Sequence, residues 1–497
     1  MTHRITRRQA LTQSLTAAAS TALLATGCSS TTSQRTAAAS GSTLESTWVD
    51  PLGVGVLRPG AGERLVARTD LAAMKPVDEL IATLAHVTDA HVLDASSPAR
   101  ATFLDRLGTP FQSTFRPHET LTAQVLAGAL NAIRHLKPDA VIQGGDLIDN
   151  AQSNELAHAL TTLEGGVVRP GSGPHGYFGV QLASDPDPFY YRPDLDAPRH
   201  PGLLQKAVNP FASRGLQTPL YPVLGDHDIL VQGEITPTPE TKKLALGHQA
   251  LWELPPGLRL PKAAREQITT SPDGPPSAGL ITSFLKQALK GPKQNVPADP
   301  TRREMDADEV VAKLRSGATG SLDYSIDAGP KLRLIVLDLA RRKGGSGGLV
   351  RPDQPAWLDQ ELKAAGNRWV IVISHQPLPS SQGGDELLAV LDGHEGVIAA
   401  LSGHTHRNEI TPRSTPHGGY WLVNTASLID YPQQARAIKV VTTGNGGVAL
   451  QTWMLDHVFP GELGTISRAL SYLDAQGGRP NGFKGTRLDR NATLYLR

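Results

Sequence analysis

One cysteine, Cys28, is all this chain of 497 residues has, so no internal disulfide can staple the fold. Charge of either sign is in short supply too. The formal net charge is +1, which gives no basic field to draw the chain to nucleic acid or to anionic lipid. Beyond the first 28 residues, no hydrophobic stretch approaches the ~20 residues needed to span a bilayer. What is abundant is proline and glycine, at 38 and 49 residues, which points to long loops. A hydrophobic content of 39% supports a real core, and the length suits one large domain or two to three ordinary ones.

The N-terminus reads as an address. Thr6-Arg7-Arg8-Gln9-Ala10-Leu11 resembles a twin-arginine export signal. The apolar run that follows, residues 15–25, is too short for a mature transmembrane helix. It ends in Leu24-Ala25-Thr26-Gly27-Cys28, which resembles a bacterial lipoprotein processing site; the alternative is ordinary cleavage nearby with an incidental cysteine. The expectation is a signal over residues 1–28, export across a bacterial cytoplasmic membrane by the twin-arginine machinery, and a lipid anchor on Cys28. One acyl chain holds weakly, so a stable anchor needs more than one. Residues 29–43, rich in Ser, Thr and Ala, read as a flexible tether.

Short apolar runs bounded by turn residues then recur, at 80–87, 140–143, 220–224, 369–373 and 397–401, and read as buried strands. Each is followed by a block of polar residues: Asp89-Ala90-His91, Gly145-Asp146, Gly225-Asp226-His227-Asp228, His375, and Gly403-His404-Thr405-His406. Further strands are expected at 332–337, placed centrally, and at 420–424, 437–442 and 448–454. Helical spacing marks 120–136, 154–163 and 354–365. Alternating strands and helices argue for an α/β domain. Two Pro- and Gly-rich inserts, 164–215 and 235–318, interrupt the pattern, the second with a short helical segment at 279–289. Loops of this length either shape a functional site or decorate the surface. Gly344-Gly345-Ser346-Gly347-Gly348 lacks the Lys-Ser/Thr ending of a phosphate-binding loop and reads as a flexible turn.

The five blocks together supply three carboxylates and four imidazoles, enough to hold two metal ions side by side, with His227 left over. Residues two apart in an extended segment point the same way, so His404 and His406 can face adjacent ions. Gly145 has no side chain to keep the backbone away from them. A mixed imidazole and carboxylate set favours Mn, Fe, Zn or Co over Ca or Mg. Two close ions clamp the attacking and leaving oxygens of an in-line displacement at phosphorus. His227 precedes Asp228. A carboxylate bonded to one ring nitrogen fixes the tautomer and favours the cation, which can then protonate a departing alkoxide. The alternative is that His227 is a satisfied structural histidine.

In this order the blocks resemble the metallophosphoesterase family, the calcineurin-like phosphoesterases, over residues 80–454. The resemblance implies an α/β sandwich of two mixed β-sheets flanked by helices, here with long inserted loops. It puts Asp89, His91 and His406 on a first ion, Asp226, His375 and His404 on a second, and Asp146 between them. It implies two metal ions as cofactors, a hydroxide held by them as nucleophile, and a phosphoester substrate, either a small molecule or an exposed group on a larger one. His227 then lies near the leaving oxygen, oriented by an acidic neighbour, here Asp228. The layout becomes an N-terminal extension at 44–79, a catalytic domain at 80–454 and a C-terminal extension at 455–497. The export signal, the inserts and the run NTASLIDYPQQAR at 424–436 resemble a twin-arginine-exported bacterial subgroup.

The chain departs from that family at Asp226, where the usual residue is Asn. Two divalent ions against three carboxylates and a bridging hydroxide leave a neutral centre; Asn would leave one positive charge. A neutral centre attracts a phosphate dianion less. Either one ion is trivalent iron, which restores the charge, or the substrate is a singly charged diester. Asp149 and Asn150 are expected to stand behind the ligands. Gly-Gly-Asp-Leu-Ile-Asp-Asn resembles the cyclic-nucleotide phosphodiesterase branch, whereas the purple acid phosphatase branch carries a Tyr where this chain has Asp149. Asn424-Thr425-Ala426-Ser427 either approaches the site or forms a turn. The expected function is dinuclear-metal hydrolysis of phosphoesters, diesters favoured; the alternatives are a phosphomonoesterase, or an exported binding protein without turnover.

Overall fold

The structure, a computed structural model, describes residues 40–107, 114–185, 187–259, 262, 284, 286–288, 290–477 and 483–497. The expected export signal with Cys28, the expected tether up to residue 39 and most of the helical segment expected at 279–289 lie outside the described residues. Among the described residues, no helix is long and apolar enough to cross a membrane.

Thirteen strands build two sheets. In chain order they are β1 (Val66–Arg68), β2 (Val77–Val87), β3 (Ala140–Gln143), β4 (Leu220–Pro222), β5 (Tyr324–Asp327), β6 (Leu332–Leu337), β7 (Trp369–Ser374), β8 (Val397–Ser402), β9 (Glu409–Arg413), β10 (Tyr420–Asn424), β11 (Gln434–Thr443), β12 (Gly447–Asp456) and β13 (Ala492–Leu496). The seven-stranded sheet runs β1-β13-β12-β11-β2-β3-β4, and the six-stranded sheet runs β5-β6-β7-β8-β10-β9. Both are mixed: β2, β3 and β4 are parallel neighbours, as are β6, β7 and β8, while β11 and β12 run antiparallel.

The period of two in the apolar strands explains how the layers stack. Leu334, Ile371, Ala399 and Trp421 are cross-strand neighbours in the six-stranded sheet, and all join a core shared with Leu84, Ile142 and Val440 of the other sheet. Their neighbours Ile335, Val372 and Ala400 face the opposite way, onto Leu358, Leu362, Leu387 and Leu391. Those four come from helices α3 (Gln354–Ala365) and α4 (Gly384–Asp392). On the other side, α1 (Thr122–Leu136) and α2 (Ser153–Glu164) bury Leu126, Leu130, Ile133, Leu156 and Leu163 in the shared core. Each such side chain contributes about 1.5–3 kcal/mol by leaving water. The result is an α/β sandwich of two mixed sheets flanked by helices.

The expected strands and helices within the described residues form, some at the expected bounds and the others with ends shifted by up to three residues. The run at 220–224 stops pairing at Pro222, and the run at 332–337 is not central. It is one strand in from the edge, covered by β5, so that β7 and β8 take the middle. Residues 44–79 and 455–497 both supply strands to the seven-stranded sheet, because β1 pairs with β13 and β13 with β12. Both inserts send side chains onto the segment between β2 and α1, and Val168, Val310 and Val311 join the shared core. Arg302, fully buried, donates Nε–H to Asp94 at 3.2 Å; Tyr190 stacks edge-on to Phe115 at 5.0 Å; and Phe178 N–H bonds Ser96 at 3.1 Å.

Candidate metal centre

All five blocks sit on loops leaving the carboxyl ends of parallel strands, where open α/β sheets place their sites. Asp89 and His91 follow β2, Asp146 follows β3, and Asp226 and His227 follow β4. His375 leaves β7, and His404 and His406 follow β8. The sandwich brings the ends of the two sheets together, and the loops lock by hydrogen bonds. Asp89 and His91 donate N–H to Gly145 and Asp146 carbonyls at 3.0 Å, and Gly403 donates to His375 at 2.9 Å. His404 N–H points at both oxygens of Asp89, and His227 N–H at Asp146 Oδ1, 2.9 Å away.

The backbone is bent hard to achieve this. Asp89, His91, Asp146, His404 and His406 all have positive φ, between 42° and 67°. Each such residue costs of order 1–3 kcal/mol and persists only when its surroundings fix it. Gly145, with φ 93°, carries no Cβ because one would collide with the His375 ring.

The seven expected ligands fall into two adjacent groups. Asp146, Asp226, His375 and His404 offer atoms all within 4.8 Å of one another, and so do Asp89, His91 and His406. The Asp146 carboxylate lies between them: its Oδ2 is 3.1 Å from His375 Nε2 and 3.6 Å from His91 Nε2. Asp89 Oδ1 is 3.3 Å from His406 Nε2. Asp226 Oδ1 is 3.2 Å from both His375 Nε2 and His404 Nδ1, and Gln376 donates Nε2–H to it at 3.0 Å.

These groups fit metal cations, on two observations. His375 Nε2 is buried and makes no hydrogen bond, although carboxylate oxygens stand beside it. His91 Nε2 and His406 Nε2 face each other at 3.3 Å. Their Nδ1 atoms lie on carboxylates, His91 on Asp149 Oδ1 at 3.0 Å and His406 on Asp430 Oδ2 at 2.6 Å. A carboxylate only accepts, so each Nδ1 carries a hydrogen, and in the neutral imidazole each Nε2 presents a lone pair. Two such lone pairs this close need a cation between them, either a proton or a metal ion.

The charges argue alike. Burial pulls the imidazoles down, but the carboxylates of Asp146, Asp226 and Asp89 push His375 well above its ordinary value. His406 rises to about 9 against the same burial, through Asp89 and Asp430. Asp226 resists burial and stays well below the usual carboxylate range beside His404 and His375. Protons held there occupy positions that cations would contest.

Asp149 supports two histidines at once. Its carboxylate holds His91, and its backbone carbonyl accepts Nδ1–H of His227 at 2.8 Å. Asn150 lies one step further back, where its Oδ1 takes N–H and Nε2–H of Gln232 at 3.1 and 3.0 Å. The expected role of Asp228 is corrected here. Rather than orienting His227, it ties two loops together, accepting N–H of Leu147 and Ile148 from the Asp146 loop on Oδ1 and of Gly225 from its own loop on Oδ2. Burial, then the Asp146 charge, raises Asp228 to about 7. His227 is raised by Asp146, Asp149 and Asp226 against its burial. Asn424 bonds Thr405 Oγ1 and Arg407 O, both at 2.6 Å, so the end of β10 braces the Gly-His-Thr-His loop. Sequence reasoning missed Asp430, Arg116 and Arg100. The first lies within the 424–436 run, and the arginines stand in no block at all.

Residues 82–408, about two-thirds of the chain, match a family model described as calcineurin-like phosphoesterase. An acid phosphatase of Aspergillus ficuum is 32% identical over 108 residues, covering 19% of this chain and 17% of the relative. The chain thus spans about one-sixth of that relative's length. Among solved structures, a dimetal phosphatase from Danio rerio is similar at 13% identity and a TM-score of 0.38, covering 76% of this chain and all of that one. The Haemophilus influenzae NAD nucleotidase follows at 11% identity and TM-score 0.30, covering 75% and 49%. The sulfate thiohydrolase SoxB of Thermus thermophilus gives 19% and 0.20 over 32% and 29%. All three structural likenesses are shallow.

Proposed function

The chain belongs to the calcineurin-like phosphoesterase family, and we propose that it hydrolyses phosphoester bonds at a centre of two metal ions. The observation that carries this reading is the pair of facing Nε2 atoms on His91 and His406, beside the Asp146, Asp226, His375 and His404 group. Asp89, His91 and His406 would hold one ion and Asp226, His375 and His404 the other, with Asp146 shared. Bound there, the ions would supply positive charge for the phosphoryl oxygens and lower the pKa of water. His227 does the proton work. Its Nδ1–H is fixed on the Asp149 carbonyl, its ring is partly exposed, and its raised pKa keeps a proton available. That proton is passed to the departing oxygen.

Asp226 favours diesters, because with Asp89, Asp146 and one hydroxide its charge would make a centre of two divalent ions neutral and weaken its hold on a dianion. Trivalent iron at one position would restore the charge and admit monoesters. Phosphomonoester hydrolysis is the second reading, supported by the similarity to the fungal acid phosphatase. The test is turnover of bis-p-nitrophenyl phosphate and p-nitrophenyl phosphate with added Mn(II), beside Asp146→Ala. Diester turnover abolished by the substitution supports the reading. Faster monoester turnover with only divalent ions bound would overturn the diester preference. No turnover of either, with metal bound, would point to a binding protein.

We propose further that residues 1–28 direct twin-arginine export and that Cys28 receives the lipid anchor. Arg7→Lys with Arg8→Lys should keep the chain in the cytoplasm, and Cys28→Ala should abolish incorporation of labelled palmitate. Export by the double variant, or no label in the parent, would sink the respective half.

A further inference from the structure

Behind each of the facing imidazoles stands a carboxylate, and behind each carboxylate an arginine. Arg116 grips Asp430 at two points, Nε to Oδ1 at 2.7 Å and Nη2 to Oδ2 at 3.1 Å, while Asp430 Oδ2 takes Nδ1–H of His406. Arg100 Nη1 bonds Asp149 Oδ2, while Asp149 Oδ1 takes Nδ1–H of His91. The two arms converge on Glu119, whose Oε2 accepts Nη2–H of Arg100 at 2.8 Å and the backbone N–H of Arg116 at 3.0 Å. None of Arg100, Arg116, Glu119, Asp149 and Asp430 exposes more than 2% of its surface. The arginines and Glu119 lie on the segment joining β2 to α1, outside every block the sequence displays.

We infer that Arg100 and Arg116 are positioning residues of the metal centre, acting through Asp149 and Asp430 to hold His91 and His406 as Nε2 donors aimed at one point. The inference rests on the two-ion reading above. A carboxylate left alone can rotate about its side chain and release the imidazole. The Arg116 fork pins Asp430 in one plane, and Arg100 holds Asp149 through Nη1 while its Nη2 is anchored on Glu119 and the Thr114 carbonyl, a rigid spread of donors that a lysine cannot offer. Each arginine also opposes the charge of the carboxylate it holds, Arg116 that of Asp430 and Arg100 that of Asp149, which it shares with Glu119. An arm that served packing alone would show its loss in stability; an arm that sets donor direction shows it in metal affinity and imidazole tautomer.

The test titrates zinc(II) into the full chain and its Arg100→Lys, Arg116→Lys and Asp430→Asn variants by calorimetry. Nitrogen-15 imidazole spectra and thermal melts of the metal-free proteins accompany it. In each variant one of two bound equivalents should weaken by about 10–100-fold, while the other stays within a few-fold and the His91 or His406 resonance loses its Nδ1–H character. Two equivalents bound by a folded variant with parental affinity would overturn the inference and leave the centre standing. A parent that binds no zinc would overturn the centre and the inference together. Should Arg116→Lys not fold, Asp430→Asn decides its arm: it keeps the side-chain shape but can offer N–H to His406, and an unchanged affinity there refutes the role; should Arg100→Lys not fold, Asp149→Asn decides the other arm on His91 in the same way.

Discussion

Nε2 of His91 and Nε2 of His406 stand 3.3 Å apart, although 315 residues separate them in the chain. Their other nitrogens lie on Asp149 and Asp430. When both imidazoles are neutral the contact sets two lone pairs against each other, and either a proton or a metal ion between them relieves it.

Metal should therefore stabilise the fold measurably. At a hundredfold excess over the dissociation constant, one ion adds about 2.7 kcal/mol, and a chelator removes it. Melting curves with and without zinc(II) check this, and Asp146→Ala should respond weakly, since Asp146 faces both groups. The gain should shrink at acid pH, because the ligands bind metal only when deprotonated. Identical melting temperatures with metal and with chelator would contradict the fit.

His227 should matter most where the leaving group is poor. His227→Gln is expected to lower kcat by about 10²–10⁴-fold on alkyl phosphoesters, and far less on p-nitrophenyl esters, whose leaving group needs no proton. Bound metal should be unchanged. Equal losses on both substrate types would place its role elsewhere.

Asp228→Ala should act on stability rather than on that proton. It strips the acceptor from the N–H groups of Gly225, Leu147 and Ile148, and leaving buried donors unpaired costs about 1–3 kcal/mol each. A lower melting temperature is expected, with the pH–rate limb of His227 in place. Loss of that limb would restore the orienting role that adjacency in the sequence suggests.

Glu304 gives a pH test away from the centre. It is buried, with Oε2 bonded to Thr241 and Oε1 without a partner, and burial raises it from 4.5 to about 7. Between those values the folded state keeps a proton that the unfolded state releases, so stability falls as pH rises through the window. The penalty is complete above about 7 and absent below about 4.5. Glu304→Gln should be more stable than the parent by about 1–3 kcal/mol at pH 8, and equal to it near pH 4. A constant difference at all pH values would reject the assignment.

Much of this was legible in the chain. The apolar runs at 140–143 and 332–337 match β3 and β6 residue for residue, because turn residues bound them sharply. Asp149 and Asn150 were marked from Gly-Gly-Asp-Leu-Ile-Asp-Asn, and the structure sets Asp149 on His91. Asp228 misled because consecutive residues in a tight turn point apart: His227 faces the site while Asp228 faces the backbone of Gly225 and of the Asp146 loop. The edgeward place of β6 was hidden because pairing order is not a property of any one strand.

By itself the sequence determined the strands, their following blocks, and hence which side chains leave strand ends with metal-binding chemistry; local periodicity and residue type suffice for that. Only the tertiary structure decided which blocks share an ion position, which nitrogen of each imidazole turns inward, and that Arg100, Arg116 and Asp430 stand behind them. Those relations join residues more than 300 positions apart, as with His91 and His406 or Arg116 and Asp430, and they arise where the ends of two sheets meet, a geometry that no local pattern encodes.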